Sequence, residues 1–198
     1  MSSNEADIEL SADCQRLLLD VAGASIETSL SSGKQLEVNA DNYPMPLQAL
    51  RSTFVTLRID GELRGCMGSL EATEPLVLDV ARNAYSAAFH DPRFEKLKHS
   101  EFSWLDIHVS ILSAAEPLSI CSEDDLLQQI RPGIDGLTLY EGELKATLLP
   151  AVWTNVPDPR VFLKHLKQKA GLSAHYWSQT VRVERYTAVS IKRPRKKR

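Results

Sequence analysis

Three cysteines, Cys14, Cys66 and Cys121, are all that the 198 residues contain, and their odd number and wide separation leave no disulfide framework. No Cys-x-x-Cys pair occurs, and His99, His165 and His175 lack partners at ligand spacing, so no metal site is expected. The Gly-x-x-x-x-Gly-Lys pattern is missing as well, which excludes a phosphate loop of that type, and no cofactor is implied. No apolar stretch approaches the length needed to span a bilayer. The opening residues, Met1-Ser2-Ser3-Asn4-Glu5-Ala6-Asp7, are polar and acidic, so neither a secretory signal nor a transit peptide is expected. Unpaired thiols without a leader make the reducing cytoplasm the expected setting.

What is present is an ordinary globular composition, 43% hydrophobic and 25% charged, enough to bury one core or one core with a small appended lobe. The expected organisation is a disordered N-terminus over 1–9, a single domain over 10–191 and a basic disordered tail over 192–198. Six of the 23 basic residues lie in that tail, Lys192-Arg193-Pro194-Arg195-Lys196-Lys197-Arg198. Without them 17 basic residues face 26 acidic ones, a balance of -9 for the body. The tail could hold nucleic acid or simply be a solvated terminus, and an acidic body argues against nucleic acid as the main partner. If the tail does bind nucleic acid, deleting 192–198 abolishes the salt-sensitive binding.

Hydrophobic spacing predicts a first helix capped by Ser11, with Cys14, Leu17, Leu18, Val21, Ala22 and Ile26 as its buried stripe and Gly33 beyond its end. Two strands, Phe54 to Ile59 and Glu62 to Ser69, follow. A two-residue Asp60-Gly61 loop would set Leu57 against Arg64, so a three-residue loop is expected, pairing Leu57 with Leu63 and Phe54 with Cys66. That register puts Arg64 and Cys66 on one face. A helix from Thr73 to about Phe89 is expected next, then a strand from Trp104 to Leu112 with Leu105, Ile107, Val109 and Ile111 facing inward. Ser122 opens a short helix, and a second hairpin from Leu137 to Leu149 turns at Glu141-Gly142, aligning Leu139 with Leu144. Asp158 and Pro159 start a helix that Gly171 ends, and one long strand from Val181 to Ile191 closes the chain. Hairpins separated by helices read as α+β with a largely antiparallel sheet.

The residues most able to carry chemistry lie in Leu63-Arg64-Gly65-Cys66-Met67-Gly68. Gly65 and Gly68 remove side chains from around the Cys66 thiol, and glycine inside a strand marks close approach of a ligand or of another backbone. Arg64 on the same face would favour a thiolate and could grip an anion, which suggests a nucleophile or a binding site. The plainer alternative is tight packing of the sheet on the alanine-rich helix. His90, Asp91 and Arg93 gather an imidazole, a carboxylate and a guanidinium within four residues, suited to acid-base work, anion recognition or a simple helix-end ion pair. His108 on the polar side of its strand could serve as a base for Cys66 if the two strands are neighbours, or be a satisfied surface histidine.

At these residues the chain resembles the AMMECR family, known in prokaryotes as AmmeMemoRadiSam system protein A. The resemblance rests on Gly61-Glu62-Leu63-Arg64-Gly65-Cys66-Met67-Gly68-Ser69-Leu70, Ala87-Ala88-Phe89-His90-Asp91-Pro92-Arg93-Phe94, Pro132-Gly133-Ile134-Asp135-Gly136-Leu137 and Leu149-Pro150-Ala151-Val152-Trp153, and it runs from about residue 10 to 190. It implies an α+β fold with a larger and a smaller lobe, the Leu-Arg-Gly-Cys segment as hallmark, and a pathway shared with Memo-type and radical-SAM proteins. It carries no settled activity. Two readings follow: an enzyme or enzyme subunit using Cys66 on a small anionic or carbonyl substrate, or a non-catalytic adaptor or ligand-binding module.

Overall fold

The computed structural model describes residues 10–192, so the expected N-terminal disorder over 1–9 and the basic stretch 193–198 lie outside the described residues. The described residues form two compact units, one built from residues 10–112 together with 189–192, the other from Ser113–Ala188. Each has its own apolar core.

In the first unit, α1 (Ala12–Ser32) starts where Ser11 accepts the Cys14 N–H and ends at Gly33 with φ 70, as its cap residues require. Short helix α2 (Met45–Gln48) precedes the hairpin of β1 (Thr53–Ile59) and β2 (Glu62–Gly68), after which come α3 (Leu76–Phe89), α4 (His99–Phe102) and β3 (Leu105–Leu112). The sheet order is β2-β1-β3-β8, where β8 is Ala188–Lys192. Val55, Leu57, Ile107, Val109 and Ile111 bury one face of this sheet with the α1 and α3 stripes, as the alternation predicts. Helix α3 begins later than expected. Pro75, with ψ 140 and no side-chain cap, is its N-cap, because its fixed φ suits a helix entry whereas Thr73 stays outside.

The second unit holds β4 (Glu116–Pro117), α5 (Glu123–Gln129), β5 (Gly136–Glu141), β6 (Leu144–Leu148), α6 (Pro159–Lys169) and β7 (Arg182–Tyr186). Its sheet runs β4-β7-β5-β6 with antiparallel pairs, packed on helices around Phe162, Leu163 and Leu166. Trp153 stacks on Phe162 at 3.8 Å between ring centres and donates its indole N–H to the Asp135 carbonyl at 2.7 Å. Ser122 and Asp158 cap α5 and α6 as anticipated.

Three expectations are corrected. The first hairpin turns on two residues, Asp60 at φ 52 and Gly61 at φ 87, the left-handed pair of a type I′ turn. The mismatch that argued against this loop is absorbed inside the strand: Arg58 opposes Leu63 and Leu57 opposes Gly65, so Arg64 is the extra residue of a bulge. The second hairpin turns on Gly142-Glu143, with Gly142 at φ 56 in the first loop position, so Leu139 opposes Ala146 rather than Leu144. The expected long last strand breaks at Thr187, and its halves, β7 and β8, belong to different sheets.

Candidate functional site

The bulge decides where the side chains of Leu63 to Gly68 go. Thr56 sits between Cys66 on β2 and His108 on β3, so the three form one row across three strands. They lie on the face opposite buried Val55 and Leu57, and all three are half-buried. The Thr56 hydroxyl lies 3.3 Å from the Cys66 sulfur. Gly65, opposite Leu57, faces the core, where an added Cβ would run into the Ala87 carbonyl oxygen of α3. Gly68 lies under the Phe54 ring, which a Cβ would also strike. Gly65 therefore serves close packing on the alanine-rich helix, the plainer of the two sequence readings, whereas Gly68 makes room for Phe54 of β1.

Arg64 does not stand beside the thiol, contrary to the expected register. Its guanidinium forms a two-pronged pair with Glu101 of α4, Nε to Oε1 at 2.7 Å and Nη2 to Oε2 at 3.1 Å, and lies 6.0 Å from the Phe94 ring centre. That pair, with the side chains 16% and 27% exposed, holds the Glu101 carboxyl below its ordinary range, chiefly through the Arg64 hydrogen bonds.

Strand β2 is an edge, and its open polar groups at Cys66 are covered by the loop after α3. Buried Asp91 accepts the Cys66 N–H at 2.8 Å, while Arg93 donates to the Cys66 carbonyl at 3.3 Å. Asp91 also accepts from the Arg93 side chain at 2.9 and 2.7 Å, and these bonds, ahead of the Cys66 N–H, bring its carboxyl down to about 2. The pair imitates a neighbouring strand and closes the edge. His90 is exposed at the end of α3 with its ring 4.9 Å from that of Tyr85. Burial, followed by the charges of Lys192 and Arg58, lowers the His108 pKa, so the imidazole is neutral near pH 7.

The structure thus brings together Cys66, Asp91 and Arg93 through backbone bonds and sets His108 one strand beyond Thr56; Arg64 and His90 turn to other partners. Sequence reasoning missed Thr56, Glu101 and a buried network around Asp79. The Asp79 carboxylate accepts from Thr53 at 2.6 Å, Asn83 at 2.8 Å, Arg82 at 2.6 Å and the Ser69 hydroxyl. Asp79 and Asn83, four apart on the apolar stripe of α3, were the visible signal. Among the described residues no group of three or more His, Cys, Asp or Glu side chains could hold a metal ion, and no helix is long and apolar enough to cross a membrane.

A protein from Methanothermobacter thermautotrophicus is 38% identical over 181 residues, covering 90% of this chain and 94% of that one. Protein MJ0810 of Methanocaldococcus jannaschii is 35% identical, with 84% of each chain covered. The crystal structure of the uncharacterized protein PH0010 from Pyrococcus horikoshii is similar with a TM-score of 0.86 at 30% identity, over 92% of this chain and 93% of that one. The AMMECR1 family model matches residues 19–191, and the chain belongs to the AMMECR1 family.

Proposed function

We propose that this chain is a non-catalytic partner- or ligand-binding module that works through the polar face of its first sheet, around Cys66, Thr56 and His108. The observation that supports this most is that the charged groups of the hallmark region already have structural partners: Arg64 is held by Glu101, and Asp91 by Arg93 and the Cys66 N–H. None of these is free to activate a thiol. The family resemblance supplies the partners to test, a Memo-type and a radical-SAM protein of the same organism, and three unpaired thiols favour a cytoplasmic setting. In a binding titration Cys66→Ser is expected to hold either partner within about twofold of the parent chain, as a mild surface change does, while Thr56→Arg on the same face weakens it. Unchanged binding in Thr56→Arg, or no binding of either partner by the parent chain, refutes the assignment.

The second reading is an enzyme in which Cys66 attacks a small anionic or carbonyl substrate. It is favoured by the 3.3 Å contact of the sulfur with Thr56, whose register partner on β3 is neutral His108; in this reading His108 is the base that draws the thiol proton through the hydroxyl. Here Cys66→Ser keeps partner binding and abolishes turnover, which separates the two readings.

A further inference from the structure

In the second unit, Ile120, Cys121, Trp177, Ser178, Gln179 and Val181 line a cleft of about 270 Å³, close to the smallest volumes that hold a small organic molecule. Its walls mix apolar side chains with one indole and two polar groups. Ser178, in the lining, donates at 3.0 Å to Glu141 Oε1, which also accepts from Tyr176 and Thr180 hydroxyls, each at 2.8 Å. Those bonds keep the carboxyl ionised, holding it below its ordinary range, with Thr180 the largest influence. Glu141 Oε2 is shielded from solvent and has no hydrogen-bond partner, and no cation pairs with Glu141 among the described residues. An anion held only by neutral hydroxyls is an uncompensated charge, one hydrogen bond away from Ser178 of the cleft wall. Just after Cys121, in the first turn of α5, Glu123 and Asp124 are paired with Lys167 at 2.9 Å and Arg160 at 3.4 Å, while Asp125 accepts the Cys121 N–H at 2.9 Å. Arg182, the cation next to Val181 in sequence, is drawn away over the Tyr140 ring at 5.5 Å.

The geometry points to a second binding site, in which this cleft takes a small organic cation of the ammonium or guanidinium class against the Trp177 indole, with Glu141 as its counter-charge. Aromatic faces attract such cations through the ring quadrupole, and a half-buried carboxylate nearby adds a longer-range attraction. Anions are disfavoured by the same charges. The site is separate from the sheet face around Cys66, so its success or failure leaves that reading untouched.

The test titrates the full chain with choline and with its neutral carbon isostere, dimethylbutanol, following the indole N–H signals of Trp177, Trp104 and Trp153 by nitrogen-proton correlation NMR. Choline is expected to shift Trp177 saturably and to bind at least about fivefold more tightly than the isostere, leaving Trp104 and Trp153 in place. Glu141→Gln should bring choline down to the isostere's affinity. An unmoved Trp177, or equal binding of the two molecules to the parent chain, overturns the proposal. That last comparison needs no variant, so it decides the matter even if Glu141→Gln folds poorly.

Discussion

At the scale of single residues, the glycines of the hallmark are explained by what surrounds them. Gly65 lets α3 approach until the Ala87 carbonyl occupies the space of a Cβ, and that atom is backbone, which cannot swing aside. Gly65→Ala is therefore expected to cost about 3 kcal/mol, the range of an overpacked core site, read as a lower denaturant midpoint at unchanged slope. A loss under about 1 kcal/mol would mean that α3 shifts freely. Asp91 makes a pH prediction. Its carboxyl falls from 3.8 to about 2 on folding, so the unfolded chain takes up the proton first as pH drops. The stabilisation is complete above pH 3.8 and disappears as pH falls through about 2. Arg93 is 55% exposed, so solvent screening trims the contribution to about 1–2 kcal/mol. Asp91→Asn should flatten the stability profile across that window, and an unchanged profile in urea titrations would show that Asp91 is not the group responsible. The identities of Cys66, Asp91, Arg93 and His108 were legible in the sequence; their partners were not, because a one-residue bulge changes which side chain faces which.

Among the elements, legibility followed how local the determinant was. The starts of α1, α5 and α6 were readable because Ser11, Ser122 and Asp158 cap backbone amides two or three residues away. Hairpin registers were not, since Asp60-Gly61 alone leaves open whether the extra residue sits in the turn or in the strand. In the folded chain Gly65 resolves that choice, because a Cβ opposite Leu57 would meet the Ala87 carbonyl of α3. The Asp79 network then fixes α3 to β1 through Thr53 and to the end of β2 through Ser69. Asp79 is 1% exposed and its four donors would lose their common acceptor in Asp79→Ala. The expected loss is about 3–5 kcal/mol, seen as a lowered melting temperature, with α3 amides exchanging fastest. If the variant melts with the parent chain, the network is ornamental and α3 is held by its alanine stripe alone.

On the scale of the whole molecule, the chain leaves the first unit after Leu112, builds the second over Ser113–Ala188, and returns as β8 to stand beside β3. The departing and returning segments are tied where Ser113 donates its N–H to the Thr187 carbonyl at 2.9 Å and Thr187 donates to the Ser113 hydroxyl at 2.9 Å. Among the described residues none belongs to both cores, and Ile191 of β8 is buried with the first. This division was hidden in the sequence, where Val181 to Ile191 alternates as one strand and nothing marks Thr187 as the point at which it changes sheets. A unit with its own core and adjacent ends behaves as an insertion, which a host tolerates losing when a tight turn replaces it. Replacing residues 114–186 by an Asn-Gly turn is thus expected to leave a chain in which α1, α3 and the β2-β1-β3-β8 sheet keep dispersed amide signals and unfold in one cooperative step. Cutting instead after Leu112 removes β8 with Ile191 and should cost about 2–5 kcal/mol more, the range of a large core truncation. If the turn-closed chain shows collapsed signals while the parent is folded, the two cores are mutually dependent and the second unit is part of what holds the Cys66 face in shape.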